Sequence, residues 1–213
     1  TRRSSDLPVR LLKRDMEASA RLTNDFFDIT CRSVMLLCLS PDYIAGKMMI
    51  VRALLSGADL LVVTPSSLPL TTIDEPIDFA AMVPAQVVES LKSTMQKSRL
   101  SRITSLIIGG APLSPGTEVE LEKLPVDMYA TYGMTETVSH VALRRIGDSL
   151  SLYCALGGIS FSIDERNCLI IHAPHFSVKE FVTNDVVELV DSRNFRWIGR
   201  YDHVINTDRK SVV

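Results

Sequence analysis

The sequence predicts an α/β fold: a mostly parallel sheet covered by helices, followed by a smaller antiparallel, barrel-like β subdomain. Three observations predict it. Up to about residue 137, short continuous apolar runs alternate with stretches that read as helices. Beyond it, strand-like runs follow one another closely, with turn residues such as Asp164, Glu165, Arg166 and Asn167 between them. The composition, 46% hydrophobic over 213 residues, is rich enough for one large core or two coupled ones.

The elements follow in order. Residues 15–27 read as a helix, with Met16, Ala20 and Phe27 among its apolar positions. Residues 33–39, S-V-M-L-L-C-L, form a continuous apolar run, as expected of a strand buried on both faces. Pro41 and Asp42 open a helix over 43–55 that stops at Gly57. D-L-L-V-V (59–63) is a strand ended by Thr64-Pro65, and D-F-A-A-M-V (78–83) is the next. Pro84 opens a helix running to about Gln96. S-L-I-I-G-G (105–110) is a strand, Ser114-Pro115 starts a helix, and V-D-M-Y-A-T (126–131) is a strand. Short strands are then expected at 141–145, 159–164, 168–173, 186–190 and 195–200. The soft boundary near 138–150 divides an α/β subdomain, residues 10–140, from a β-rich subdomain, residues 141–207.

Composition excludes several functions. A formal charge of -2 gives no reason to expect nucleic-acid or anionic-membrane binding. Cys31, Cys38, Cys154 and Cys168 show no C-x-x-C spacing and read as reduced thiols. No apolar run reaches the ~20 residues of a membrane span, and no signal-type segment follows the basic start, so a cytoplasmic protein is expected. His172 and His175 flank Pro174 and lack the further ligands of a metal site. His140, four residues past Glu136, is placed to line the mouth of a site, but it and Trp197 are read as packing residues.

In a parallel α/β sheet, ligands bind beyond the carboxyl ends of the strands. Two loops there carry suggestive chemistry. In G-G-A-P-L-S, Gly109 and Gly110 let a ligand approach the backbone, beside Ala111; the same pattern also suits an ordinary turn. In Y-G-M-T-E-T, Tyr132 offers a face for an adenine and Gly133 a tight turn. Thr135 offers a hydroxyl to a phosphate, and Glu136 a hard oxygen for Mg²⁺. A capped turn would also use these residues.

Taken in order, G-G-A-P, Y-G-M-T-E, T-N-D (183–185) and W-I-G-R-Y-D (197–202) resemble the motifs of the adenylate-forming superfamily of acyl-CoA synthetases, luciferases and peptide-synthetase adenylation domains. The resemblance covers roughly residues 10–207. It implies that Asp185 and Arg200 hold the ribose, that Asp202 is a hinge to a small C-terminal domain, and that ATP, Mg²⁺ and coenzyme A are used. It also implies a two-step reaction, in which a small carboxylate forms an acyl-adenylate and the CoA thiol then displaces AMP.

Within the superfamily, L-S-P-D-Y-I-A-G-K-M-M-I-V-R-A-L, M-V-P-A-Q-V and the compact stretch 153–174 look most like the o-succinylbenzoate–CoA ligases of menaquinone biosynthesis. That acid carries a second carboxylate, so its pocket should hold a cation. Lys47 is the first candidate and Arg52 the second, with Tyr43 and Ala85 lining the pocket.

The chain also departs from the superfamily. Thr1, Ser4, Ser5 and Pro8 fall in register with its phosphate loop, but Arg3 and Asp6 stand where glycines belong and Val9 replaces the lysine. The ending D-R-K-S-V-V matches the translation of a common sequencing adapter, so residues 208–213 are expected to be a non-native tail. The lysine-bearing C-terminal domain of the superfamily is expected to be absent from this chain. The expectation is a fragment of the large domain, inactive alone. Alternatives are an aryl- or fatty-acyl-CoA synthetase, a peptide-synthetase adenylation domain, or a non-catalytic AMP- or acyl-binding module.

Overall fold

The computed structural model describes residues 10–203, 205–207 and 210–212, with side chains placed from residue 10 to residue 202. The phosphate-loop-like stretch 1–9 lies outside the described residues, as do Asp208, Arg209 and Val213 of the expected tail. α1 (Lys13–Phe26) leads into β1 (Val34–Leu37), and α2 (Ile44–Ser56) carries the chain to β2 (Asp59–Val62). Gly57 ends α2 in the left-handed region at φ 72°, the conformation a helix C-terminus favours and glycine adopts without a Cβ penalty. β3 (Ile77–Met82), β4 (Ile103–Ile108) and β5 (Asp127–Gly133) complete a parallel set ordered β2-β1-β3-β4-β5.

The continuous apolar runs have the expected consequence. Met35, Leu37, Phe79, Ala81 and Ile107 enter one core, while Leu36, Ala80, Met82, Leu106 and Ile108 enter another on the opposite face. Alternate side chains of a strand point to opposite faces, so a strand apolar throughout must be covered on both.

One helix departs from its expected form. The run from Pro84 divides into α3 (Pro84–Lys92) and α4 (Thr94–Leu100). Ser93 between them is extended, and its hydroxyl accepts from the Gln96 amide. A serine competes for local hydrogen bonds and serves better as a cap than as a helix interior residue. Ser114 caps α5 (Pro115–Glu122) in the same way, accepting from the Thr117 amide, with Pro115 in the first turn.

After β5 the pairing becomes antiparallel through β6 (His140–Arg145), β7 (Tyr153–Ala155), β8 (Ser160–Ile163), β9 (Cys168–His172), β10 (Glu180–Asp191) and β11 (Asn194–Arg200). These strands pack their own core around Phe161, Leu169, Phe176 and Phe195. They also continue the parallel set hydrogen bond by hydrogen bond, giving one sheet in the order β2-β1-β3-β4-β5-β6-β7-β11-β10-β9-β8. β7, three residues long, is too short to show a period in the sequence. Beyond a 3-10 turn, Tyr201–His203, β12 (Ile205–Thr207) pairs with β13 (Lys210–Val212). Among the described residues no helix is long and apolar enough to cross a membrane.

Candidate functional site

The chain runs from β1 outward to β2 and then returns to β3 on the other side of β1. Strand order therefore reverses between β1 and β3, and such a reversal opens a crevice at the carboxyl ends of the strands. A cleft of about 260 Å³ lies there. Its walls include Leu39 after β1, Val83 after β3, Gly109 and Gly110 after β4, and Gly133 at the end of β5. A second cleft, about 570 Å³, lies towards the β-rich strands and includes Pro112, Tyr132, Tyr153 and Trp197. Gly110, Thr131 and Gly133 line both clefts and form the seam between them.

Glycine is required at this seam and at Gly109 beside it. A Cβ on Gly109 would run into the Thr131 hydroxyl, and one on Gly133 would run into the Ser139 carbonyl and His140 Cα. Gly110 has φ 89°, a conformation that side-chain-bearing residues rarely adopt. The loop after β5 is held by Thr137, which is fully buried: its hydroxyl accepts from the Met134 amide at 3.0 Å and donates to the Ser139 carbonyl at 2.8 Å. Val138 follows at φ 66°, buried and β-branched in the left-handed region. Such a residue persists only where its surroundings over-determine it, and strain of this kind gathers at ligand sites. The bonds from the Val138 amide to the Thr135 carbonyl (2.9 Å) and from the Ser139 amide to the Thr137 carbonyl (2.7 Å) supply the constraint.

Thr135 lines the first cleft and Glu136 beside it is exposed. No group of three metal-ligating side chains exists among the described residues. A lone exposed carboxylate suits Mg²⁺, which keeps several waters and is often held by one or two carboxylates together with substrate phosphates. Ala111 sits with Gly110 on the wall of the second cleft.

The second cleft is shaped by aromatics. Tyr132 meets Tyr153 and Phe195 at ring distances of 5.8 and 5.0 Å, and its hydroxyl donates to Asp185 at 2.7 Å. Burial, with the Asp185 charge second, raises the Tyr132 pKa well above that of an ordinary phenol. Asp185 and Arg200 are cross-strand partners on β10 and β11, with an ion pair at 3.6 Å. Arg200 also lies 3.7 Å from Asp202, which is exposed in the 3-10 turn. Trp197, expected in the core, is 39% exposed and lines the second cleft, with its indole N–H 3.5 Å from Asp185.

The cation of the first cleft differs from the first choice. Lys47 is exposed, and α2 turns Ile44, Ala45 and Arg52 into the cleft. Positions 45 and 52 are seven apart and share a helix face; position 47 points elsewhere. Arg52 is only 1% exposed. Its guanidinium donates to Ser139 Oγ at 2.9 Å and lies 3.6 Å from Met49 Sδ, while its Nε has no partner and no carboxylate pairs with it among the described residues. Burial alone lowers its pKa to about 10. Tyr43, 74% exposed, caps the start of α2 outside the cleft, and Ala85 is exposed in the first turn of α3, with Val83 on the cleft wall instead. Gln86 braces that turn: it donates to the Cys38 and Ser66 carbonyls and accepts from the Val83 amide.

Sequence reasoning weighed a place for His140 at the mouth of the site and preferred packing. His140 is buried, lines the first cleft, and meets Ser139 and Thr23 through its two ring nitrogens. Thr131 and Thr137 were missed. Thr131 lies within the strand signal and Thr137 follows the Glu136 motif, so proximity to those loops was the available cue.

An α/β sheet with one cleft at its reversal point, joined through glycines to a second towards the antiparallel strands, is an architecture at which nucleotides commonly bind. The comparisons agree: the sequence profile of the AMP-binding enzyme family matches residues 11–159, and this chain belongs to that family. A 2-succinylbenzoate–CoA ligase of Enterococcus faecalis is 27% identical over 135 residues, which cover 62% of this chain and 28% of that protein. The crystal structure of an acyl-CoA synthetase (AMP-forming)/AMP-acid ligase II-like protein of Dyadobacter fermentans superposes with a TM-score of 0.88 at 35% identity, over 100% of this chain and 62% of that one. The O-succinylbenzoate coenzyme A synthetase of Bacillus subtilis, in complex with ATP and magnesium ion, shares the fold at a TM-score of 0.80 and 16% identity, over 96% of this chain and 49% of that one. The chain thus spans under a third of the curated relative and under two thirds of these solved structures.

Proposed function

We propose that this chain provides the acid- and nucleotide-binding clefts of an AMP-forming acid–thiol ligase whose acid is o-succinylbenzoate. The observation that carries the choice of acid is Arg52. A buried cation without a carboxylate partner costs several kcal/mol in a folded protein, and such a cost is retained where a ligand supplies the missing anion. The first cleft is otherwise lined largely by apolar side chains and backbone, with Ile44, Ala45, Val83 and Val138 on its walls. An apolar wall with one buried cation suits an aromatic acid bearing a second carboxylate. The Enterococcus relative, named for that acid, supports the same reading.

In this reading the reacting carboxylate lies at the glycine seam. Its oxygen attacks the α-phosphorus of ATP, and the bond to the pyrophosphate oxygen breaks. In the second step the CoA thiol attacks the acyl carbon, loses its proton, and AMP leaves with the bonding electron pair. This chain's residues act by position and charge. Thr135 donates to an α-phosphate oxygen, and the Gly109–Ala111 backbone and Tyr132 flank the base. Asp185, held by Tyr132 and Arg200, accepts from the ribose hydroxyls. Glu136 would hold Mg²⁺, which offsets phosphate charge when bound. Asp202 marks the hinge.

Calorimetric titration of the chain with non-reactive acyl-adenylate analogues tests the assignment. The o-succinylbenzoyl analogue should bind roughly 10- to 100-fold more tightly than the benzoyl analogue, the range of one or two charged hydrogen bonds. Equal affinities would remove o-succinylbenzoate and leave the adenylate chemistry. Binding of AMP with neither analogue favoured over it would point to a non-catalytic nucleotide module.

A further inference from the structure

The environment of Arg52 continues past Ser139 in an unbroken line to α1. Ser139 Oγ lies 3.2 Å from His140 Nδ1, His140 Nε2 lies 3.3 Å from Thr23 Oγ1, and Thr23 Oγ1 lies 3.3 Å from the Ser19 carbonyl. From these contacts we infer that Ser139, His140 and Thr23 form a one-directional hydrogen-bond relay in which His140 positions the Arg52 guanidinium. The inference rests on the reading of Arg52 as the acid-binding cation.

Donor bookkeeping sets the direction. A guanidinium only donates, so Ser139 Oγ accepts from Arg52 and its own proton is free for another acceptor. Thr23 Oγ1 spends its proton on the Ser19 carbonyl and so accepts from His140 Nε2, which leaves Nδ1 of the neutral ring bare to accept the Ser139 proton. The imidazole proton therefore resides on Nε2. Every hydroxyl in the line donates once and accepts once, and the line ends on a helix carbonyl. A second tie comes from the same helix: the Asn24 side-chain amide donates to the Arg52 carbonyl at 3.0 Å.

The relay works only with a neutral imidazole. Protonated His140 would donate from both nitrogens, turn the Ser139 proton away, and place a second cation beside Arg52. Burial, and then the Arg52 charge, hold the His140 pKa well below its usual value. Among the described residues Arg52 is the charged group facing His140, and Thr23 and Ser139 are its hydrogen-bonding neighbours. His140 is thus a positioning residue: it acts on the acid through Ser139 and Arg52.

Three variants and one spectrum test this. Affinities for the o-succinylbenzoyl and benzoyl adenylate analogues are measured for wild type, Arg52→Met, His140→Phe and His140→Asn. His140→Phe should cut the preference for the second carboxylate about tenfold while AMP affinity stays within twofold. His140→Asn, whose Oδ1 falls near the Nδ1 position, should recover most of that preference. The ¹⁵N spectrum of the His140 ring should show a bare Nδ1 and a protonated Nε2, unchanged between pH 6 and pH 9. Equal loss for both analogues in His140→Phe, with no recovery in His140→Asn, would reduce His140 to a packing residue and overturn the relay. A protonated Nδ1 would overturn it independently of folding effects. If Arg52→Met removes the preference and His140→Phe does not, the relay fails and the acid assignment stands. If Arg52→Met itself leaves the preference intact, the acid assignment fails.

Discussion

The two clefts treat their arginines in opposite ways. On the wall of the second cleft, Arg144 is gripped by Glu118 through two hydrogen bonds of 3.0 and 2.6 Å and lies over the Tyr153 ring. In the first cleft Arg52 is more deeply buried, and among the described residues its guanidinium meets only a hydroxyl and a thioether. A paired guanidinium is structural, because its charge is already answered inside the chain. An unpaired one, buried more deeply still, is on the proposed reading free to answer a charge from outside. On the proposed reading the difference separates a wall from a binding site, and it can be probed from either side.

The largest effect is expected at the seam common to both clefts. Gly133→Ala forces the β5–β6 loop away from the Ser139 carbonyl and should destabilise the fold by about 2–3 kcal/mol, measured by urea unfolding. It should also weaken both clefts at once. A variant of wild-type stability would mean that the loop yields freely and that the strain at Val138 is not locked in.

Next comes the contrast itself. Arg52→Met should erase the 10- to 100-fold preference for a second carboxylate, whereas Arg144→Met should leave that preference unchanged. Glu118→Gln should cost about 1–2 kcal/mol, because it leaves the largely buried Arg144 without its counter-charge. No comparable partner exists to remove from Arg52 among the described residues.

The smallest effect concerns acidity. The folded pKa of His140 lies well below the unfolded value near 6.5, so the unfolded chain binds the extra proton as the pH falls. Its contribution to stability is complete above pH 6.5 and shrinks as the pH drops from 6.5 towards the folded pKa, by at most about 1.4 kcal/mol per pH unit. His140→Phe should flatten that part of the stability–pH curve. An unchanged slope would mean that His140 is already protonated in the fold.

Much of this was legible in sequence because local chemistry dictated it. Continuous apolar runs gave doubly covered strands, Pro84 and Ser114-Pro115 gave helix starts, and Gly57 gave a helix end. Paired glycines and the Tyr132–Glu136 stretch pointed at the carboxyl ends of β4 and β5, where the clefts lie. What escaped depended on rotation and depth. Lys47 and Arg52 are both cations on α2, and nothing in their chemistry says which faces the cleft; the packing of Met48, Met49 and Ala53 decides it. Ser93 broke a helix because its side chain competed for the backbone, a choice that propensity alone leaves open. Thr23 and His140 stand 117 positions apart, and only the docking of α1 onto β6 brings them together.

On the proposed reading Arg52, without a carboxylate partner among the described residues, is held for an incoming anion. Thermal unfolding of wild type and Arg52→Met, each with and without the o-succinylbenzoyl adenylate analogue, addresses this central claim most directly. Removing an uncompensated buried charge should leave the variant at least as stable as wild type when free, while abolishing most of the ligand-induced rise in Tm. A free variant that unfolds several degrees earlier yet keeps the full ligand-induced rise would show that Arg52 serves the fold and not the acid.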